Sequence, residues 1–544
     1  MVLPWLFKNL ITPFGQNRIV REVAKEAFDI NGIQAGFTFN SDLSPYDMPP
    51  NMFSTVKNIR FNDGKASSIL GHSQVLGTPS AAPYWITSWR QGSTDLWIYG
   101  GLTDLYKISG TTHSSVTRSS GSYTTLSGTD NNWQGGVLGG VLVVNNGLDL
   151  PQSFTQGGAQ FTDLPNWPST LKCEVIVPFR NHLIALNLND NGTLLPYSIR
   201  WSDAIPEGAA DNGADTWNTG STSSESAQTT VGATKGHLRN ALPLGNELIV
   251  YKEDSIYSLT YTGGTFVFTL REKFKDVGLF ARDAVAQINN NQHVFVTTND
   301  IVVFNGSSVK SIVDESVKRY FFSQIDSTYF YKTFVVHNQA KNEVWVCYPK
   351  TGATNGLPNE ALIWNYLDNT WSIRELPSVN YIAKGLVNPV ASDTWASSTE
   401  LWYQPTTKWA EESYNPSVFS LLMCGTDDTK LYKADSGLTF DGADVSPYIE
   451  RIGLRTGSAS MIRDISEIYP RFEGQGTVNI SVGTEIRPNE GVSYQDPVTF
   501  TIGTDEKIDC RVRGRFMAIK IEGLANTQFD LSGYTVISEV VGDR

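Results

Sequence analysis

Three observations predict an all-β chain, a β-propeller followed by an antiparallel β-sandwich. Short β-branched or aromatic runs alternate with tight polar turns along most of the 544 residues. Some of these runs recur at a spacing in the forties: Asn246 to Gln292 is 46 residues and Gln292 to Lys341 is 49. With about four strands per unit, that period is a blade signature. The composition also sides with strands and turns, with 47 glycines and 14 Trp, 22 Tyr and 26 Phe.

The first 75 or so residues hold one helix-like stretch, IVREVAKEAF (19–28), and then an extended, proline-bearing arm able to donate a strand that closes a propeller ring. The start of the chain is apolar but carries Pro4 and Pro13 and no small-residue cleavage site, so it makes a poor signal peptide. No run approaches the ~18 apolar residues of a membrane span.

Residues 76–446 read as the propeller. Its hairpin units include LWIYGGLTDLYKI (96–108), GGVLVVNNG (139–147), VIVPFRNHLIALNL (175–188) and NELIVYKEDSIYSLTYTG (246–263). QHVFVTTNDIVVFNG (292–306), KNEVWVCYP (341–349), ALIWNYLDNTWSI (361–373) and LLMCGTDDTKLYKADSG (421–437) continue the series. In each, apolar runs flank Asn, Asp or Gly turns. Two stretches break the pattern. Residues at about 189–236 are rich in Gly, Ser, Thr, Asn and Asp and read as a loop or insertion. Residues at about 387–416 place Trp395, Trp402, Tyr403, Trp409 and Tyr414 on an aperiodic segment, which suits either a subunit interface or a cap on the propeller. Residues 447–544 alternate apolar and polar positions without blade spacing, the pattern of a sandwich.

Chemistry is sparsely marked. SDAIPEGAADNGADTW (202–217) resembles the aspartate box of sialidase propellers, but only Asp211 and Gly213 fit. Ala209 stands where Ser belongs, and Trp217 falls one residue late. A sialidase further needs an arginine triad and a Tyr–Glu pair, and no spacing marks either. The six histidines (His72, His113, His182, His237, His293, His337) are isolated and read as turn or strand-surface residues rather than ligands. NLNDNG (187–192) half-matches a calcium loop but has Ser198 in place of the closing Glu, so it reads as a hairpin turn. Cys173, Cys347, Cys424 and Cys510 are widely spaced, with no CxxC pair, which suits a reducing cytosol. No catalytic, cofactor or metal site is expected, and the chain is read as a non-enzyme. The net charge of −13 would not grip nucleic-acid phosphates through its average field; it suits solubility, or a surface that nucleic acid slides past.

MPPNMFSTVKNIRFNDGKASSILG (48–71), NNGLDLPQSF (145–154), SIRWSDA (198–204), NELIVYKEDSIYSL (246–259) and DVGLFARDAVAQI (276–288) follow one another in a telling order. NDIVVFNG, NEVWVCYP, ALIWNYLDNTWSI, GRFMAIKIEG (514–523) and DLSGYTV (530–536) complete it. From about residue 48 to the end, the chain resembles the tail nozzle proteins of short-tailed bacteriophages, also called tail tubular protein B or packaged-DNA stabilisation proteins. The resemblance implies a structural virion protein of the viral tail, assembled in the host cytoplasm as a homohexameric ring below the portal and the tail adaptor protein. Tail fibre or needle proteins would be further neighbours. Viral double-stranded DNA would pass the lumen without sequence recognition, be retained there and be released at ejection. Which residues face that lumen is unknown at this level; the 219–236 loop is one candidate for closing it. The alternatives are a receptor-binding propeller (tail fibre or adhesin) and, behind it, a propeller glycosidase.

Overall fold

The computed structural model describes residues 25–32, 36–91, 94–126, 132–206, 208–209, 215–264, 267–387, 419–455, 457–458 and 460–543. Among them, six four-stranded antiparallel sheets follow in chain order: residues 85–115, 134–163, 171–230, 238–275, 285–311 and 334–375. These are blades one to six. Their turns use residues that tolerate the left-handed region, such as Gly245 (φ 58°), Asn342 (φ 56°) and Asn369 (φ 52°). The first strands of neighbouring blades pack together from blade two round through blade seven to blade one, so they are the innermost and surround the axis.

Blade seven is built from both ends of the propeller sequence. Val379–Gly385, Ser420–Gly425 and Lys430–Ala434 supply three strands, and His72–Gln74 supplies the fourth. The added strand is antiparallel, with Gln74 opposite Tyr432 and His72 opposite Ala434. Gly71 makes the approach possible: a Cβ there would lie 1.9 Å from the Thr439 carbonyl oxygen.

Two six-stranded sheets form the sandwich. Its longest strands are C-terminal, Met461–Gln475 paired with Gln528–Asp543 along most of their length. The arm contributes as well. Ile59–Asn62 and Lys65–Ser68 extend one sheet, and Thr55–Lys57 pairs with Tyr448–Leu454 in the other. The sandwich therefore closes only when residues some 400 positions apart meet, as Thr55 and Glu450 do.

The arm also welds the sandwich to the propeller. Phe37, Phe39, Phe53, Ile59 and Phe61 are buried in one continuous core with blades four to six and the inner face of the sandwich. Phe53 stacks on Phe61 at 5.8 Å and lies 5.3 Å from Phe37. Burying each such side chain stabilises by about 1.5–3 kcal/mol. Asn58, left-handed at φ 55°, stitches the seam with polar contacts. Its amide nitrogen donates to the carbonyl of Val445 (2.5 Å) and to Glu375 (2.9 Å), while its oxygen accepts the backbone N–H of Glu375 (2.9 Å).

Three expectations are corrected. The helix expected over 19–28 is absent where the chain is described: Glu26–Asn31 is a strand paired with the stretch from Gly533 to Ser538. Residues 19–24 lie outside the described residues. The long strand at the sandwich edge overrides local helix propensity, and Phe28 and Ile30 turn inward in strand alternation. A helix occurs instead at Lys318–Gln324. The stretch 189–236 is not simply a loop, because Thr193–Trp201 and Ala227–Thr230 are the third and fourth strands of blade three. A closing element at 219–236 would have to spare that fourth strand. The aromatic segment 387–416 lies, after Val387, outside the described residues.

Deleting residues 1–75 should leave blade seven with an open edge and the sandwich without its arm strands, giving aggregation and no cooperative melting transition. A soluble truncated chain with an unchanged Tm would contradict this closure. Phe53→Ala in the full chain should cost about 3–5 kcal/mol in denaturant unfolding.

Candidate functional site

The residues that first suggested chemistry serve the blade. Arg200 and Trp201 end the third strand of blade three, and the Asp203 N–H donates to the carbonyl of Thr216 at 2.7 Å. Trp217 is buried edge-on against Trp167 at 4.5 Å, and its carbonyl accepts from the Arg200 guanidinium. Asp211 and Gly213 lie outside the described residues. Asn189 and Asn191 sit at a two-residue hairpin turn, with the Asn189 side chain accepting the Gly192 N–H at 2.9 Å. Asn187 marks a bulge one step earlier and donates to Glu174.

Four of the six histidines are buried rather than on strand surfaces: His72, His182, His293 and His337. The blades pack so closely that side chains on both faces of a strand are enclosed. His293 is held between the Tyr251 hydroxyl (2.8 Å) and the Pro243 carbonyl (2.9 Å). Burial pushes His72, His293 and His337 each down to about 4, helped at His72 by Arg374 and at His337 by Lys384. The four cysteines are buried and unpaired, and burial raises all four thiols. Among the described residues, no three His, Cys, Asp or Glu side chains gather as a metal site, and no helix is long and apolar enough to cross a membrane.

Folding does create a Tyr–Glu contact that spacing had not marked. Tyr348 donates to Glu360, which Tyr320 and Lys350 also reach at 2.9 Å each. Burial first, and Glu360 next, raise both phenols well above their ordinary value. They stay protonated as donors, the opposite of an activated nucleophile. The hydrogen-bonded set contains no arginine to hold a carboxylate substrate.

Among the described residues, a dense cluster of buried charge lies where the ring closes. Arg60, from the arm, forks onto Glu343 of blade six and reaches Asp435 after the third strand of blade seven at 2.9 Å. Arg374, from the last strand of blade six, reaches the same Asp435 at 2.7 Å and donates to the carbonyl of Gly71 at 3.0 Å. Glu343 also accepts the Trp345 indole N–H at 2.8 Å, and Arg374 lies over that ring at 5.0 Å. Two cations and two anions thus balance with little access to water. Desolvation pushes Arg374 down and opposes charge on Asp435, yet the two guanidiniums hold Asp435 below the usual carboxylate range.

A second polar knot crosses the propeller axis at the face where the first strands begin. Arg282, in the linker from blade four to five, donates to the carbonyl of Asn132, in the linker from blade one to two, at 3.1 Å. It pairs with Asp283 at 3.0 Å, and its own carbonyl accepts from Asn240 at 2.6 Å. Asn132 and Asn380 both donate to the Tyr84 carbonyl, at 3.3 and 2.7 Å, bringing in blades one and seven. The Asp283 carbonyl accepts the N–H of Val335 in blade six at 3.0 Å. Arg282 is 2% exposed, so this end of the axis is filled by protein.

No family model matches the chain, and no curated protein matches it. Among solved structures, it is similar to the extracellular domain of a hybrid two-component system protein from B. thetaiotaomicron, at 11% identity and a TM-score of 0.38, over 79% of this chain and 49% of that one. It is also similar to PorZ, a surface component of the type-IX secretion system of Porphyromonas gingivalis, at 9% identity and a TM-score of 0.34, over 78% and 46%. The chain spans about half the length of these two proteins. TM-scores this low carry no argument, and the propeller assignment rests on the sheet topology.

Glu343→Gln leaves the closure cluster with an uncompensated cation and should cost about 3–5 kcal/mol, whereas Lys65→Ala, at the exposed pair with Glu473, should cost under about 1 kcal/mol. Equal effects in urea unfolding would deny the cluster its role. The three depressed imidazoles set a pH dependence of definite sign. Their folded values lie below that of the free side chain, so the stability they contribute is complete above about pH 6.5 and is lost as pH falls towards about 4. The loss should be on the order of 3 kcal/mol for each. Asp435, also depressed, adds a loss in the same direction below about pH 4. A urea midpoint that is flat between pH 6.5 and 4.5 would contradict the histidine assignment.

Proposed function

We propose that this chain is a structural subunit of the tail nozzle of a short-tailed bacteriophage. It assembles as a homohexameric ring below the portal and adaptor, extends the DNA channel, retains the packaged genome and releases it at ejection. The observation that carries the reading is the ordered run of nozzle-like segments from residue 48 to the end, laid along a propeller and a sandwich.

The geometry is compatible with that role in two respects. The Arg282 knot closes one end of the propeller axis, so a duplex would run between subunits, in a lumen made by the ring, and not through any one subunit. The arm, blades four to six and the sandwich share one core, which lets these parts of each subunit carry load together. The charge of −13 favours sliding over trapping, since a lumen dense in Lys and Arg would hold DNA through counterion release.

A receptor-binding propeller is the second reading. An open cavity of about 970 Å³ where blades five, six and seven meet, its described lining mostly Asn and Gln, favours it.

Light scattering and negative-stain microscopy of the purified chain distinguish the two. A six-fold ring with a central hole, together with particles that lose DNA when the protein is missing, is the expected result. A stable monomer that is absent from particles would overturn the nozzle reading.

A further inference from the structure

On the face opposite the Arg282 knot, the first strands of blades five, six and seven end around an open cavity of about 970 Å³. Its described lining is seven side-chain amides, the Lys384 ammonium and the aliphatic Ile288, with no carboxylate. In a chain with 55 acidic residues, an opening of this size whose described lining holds none is a marked local departure. The volume is at the upper end of ordinary ligand pockets, about 300–1,000 Å³.

The turn that forms much of the wall is held in place by its own hydrogen bonds. The Asn290 carbonyl accepts the N–H of Gly245 from blade four at 2.7 Å, and the Asn289 side chain accepts the Asn291 N–H at 2.9 Å. Asn289 also donates to Gln292 at 3.2 Å, and Asn305 is occupied by Ser307 and Ser308. Four amides remain: Gln287, Asn290 and Asn291 from blade five and Gln339 from blade six. Among the described residues, none of their side chains has a protein partner. The turn's backbone is braced, while these side chains lie at the surface and can exchange water for a ligand's hydroxyl groups.

The lining selects a class of ligand. A single ammonium is too little charge for a polyphosphate or nucleic acid. One aliphatic side chain, itself buried, offers nothing to an apolar partner. A primary amide presents one carbonyl acceptor and two N–H donors without net charge, which suits hydroxyl groups that both give and take hydrogen bonds. Several such amides spread over two blades suit a chain of sugars more than a single one. We propose that this opening is a carbohydrate site that takes a neutral oligosaccharide, with Asn290 and Gln339 as its principal contacts. The proposal goes beyond the nozzle reading and does not depend on it, because an isolated subunit presents the cavity.

The test is saturation-transfer NMR on the full-length chain with maltohexaose, isomaltohexaose and cellohexaose as separate probes. At least one should receive saturation, and the exposed double variant Asn290→Ala/Gln339→Ala should weaken it about tenfold or more without changing the melting temperature. Lys384→Ala should change it by less than about twofold. The proposal is overturned if none of the three probes binds at about 10 mM, if the double variant binds as the wild type does, or if Lys384→Ala alone abolishes binding, which would mark an anionic ligand. A failed ring assembly in the earlier experiment would leave this result untouched.

Discussion

Two guanidiniums and two carboxylates, Arg60 and Arg374 against Glu343 and Asp435, are shut from water where the ring of blades closes. The rest of the molecule depends on how they meet. The closing strand is three residues long and the arm strands between Thr38 and Ser68 are two to four, too short for backbone ladders to set register alone. Arginine forks demand a fixed direction and distance, so a slip of one residue along the arm would break several contacts at once. Buried pairs add little net stability compared with apolar packing, but any partial set leaves a bare charge. Here the cluster acts as a register lock that tolerates no half-made state.

Once the arm is placed, the apolar seam follows. Phe37, Phe39, Phe53 and Phe61 fall into the cleft between blade six and the sandwich, and Asn58 satisfies the backbone groups that such a buried crossing would orphan. The sandwich cannot complete its sheets without the same arm. Closure of the ring and completion of the sandwich are therefore coupled through about fifty residues, although one depends on the propeller sequence and the other on the C-terminus.

The two faces of the propeller carry different polar arrangements. At one, Arg282, Asp283, Asn132 and Asn380 are mutually satisfied and fill the axis. At the other, amides with no partner of their own surround open space. A satisfied knot stiffens, and a solvated rim can be read by a ligand; this contrast separates the mechanical role proposed for the chain from the binding role proposed for its cavity. The Tyr–Glu contact at Glu360 belongs with the first kind, since burial and Glu360 hold its phenols protonated.

Much of the architecture was legible from the residues alone. The alternation of apolar runs and Asn, Asp or Gly turns located the blade hairpins, and the second strands beginning at Glu247, Gln292 and Glu343 keep the period read from Asn246, Gln292 and Lys341. Those signals are local, because strand pleat and turn backbone are decided by neighbouring residues. What pairs with what across hundreds of positions was not legible. EAFDIN reads as helix until the edge of the stretch from Gly533 to Ser538 claims it, and AQTT looks like loop until it becomes the fourth strand of blade three. Neither the Arg60 cluster nor the Arg282 knot has a sequence signature, since their members lie up to 375 residues apart. By itself the sequence determined the kind of element and its repeat. Only the tertiary structure decided where the ring closes, which charges are buried together and which amides are left unpaired, because desolvation and long-range pairing exist only after the chain has folded back on itself.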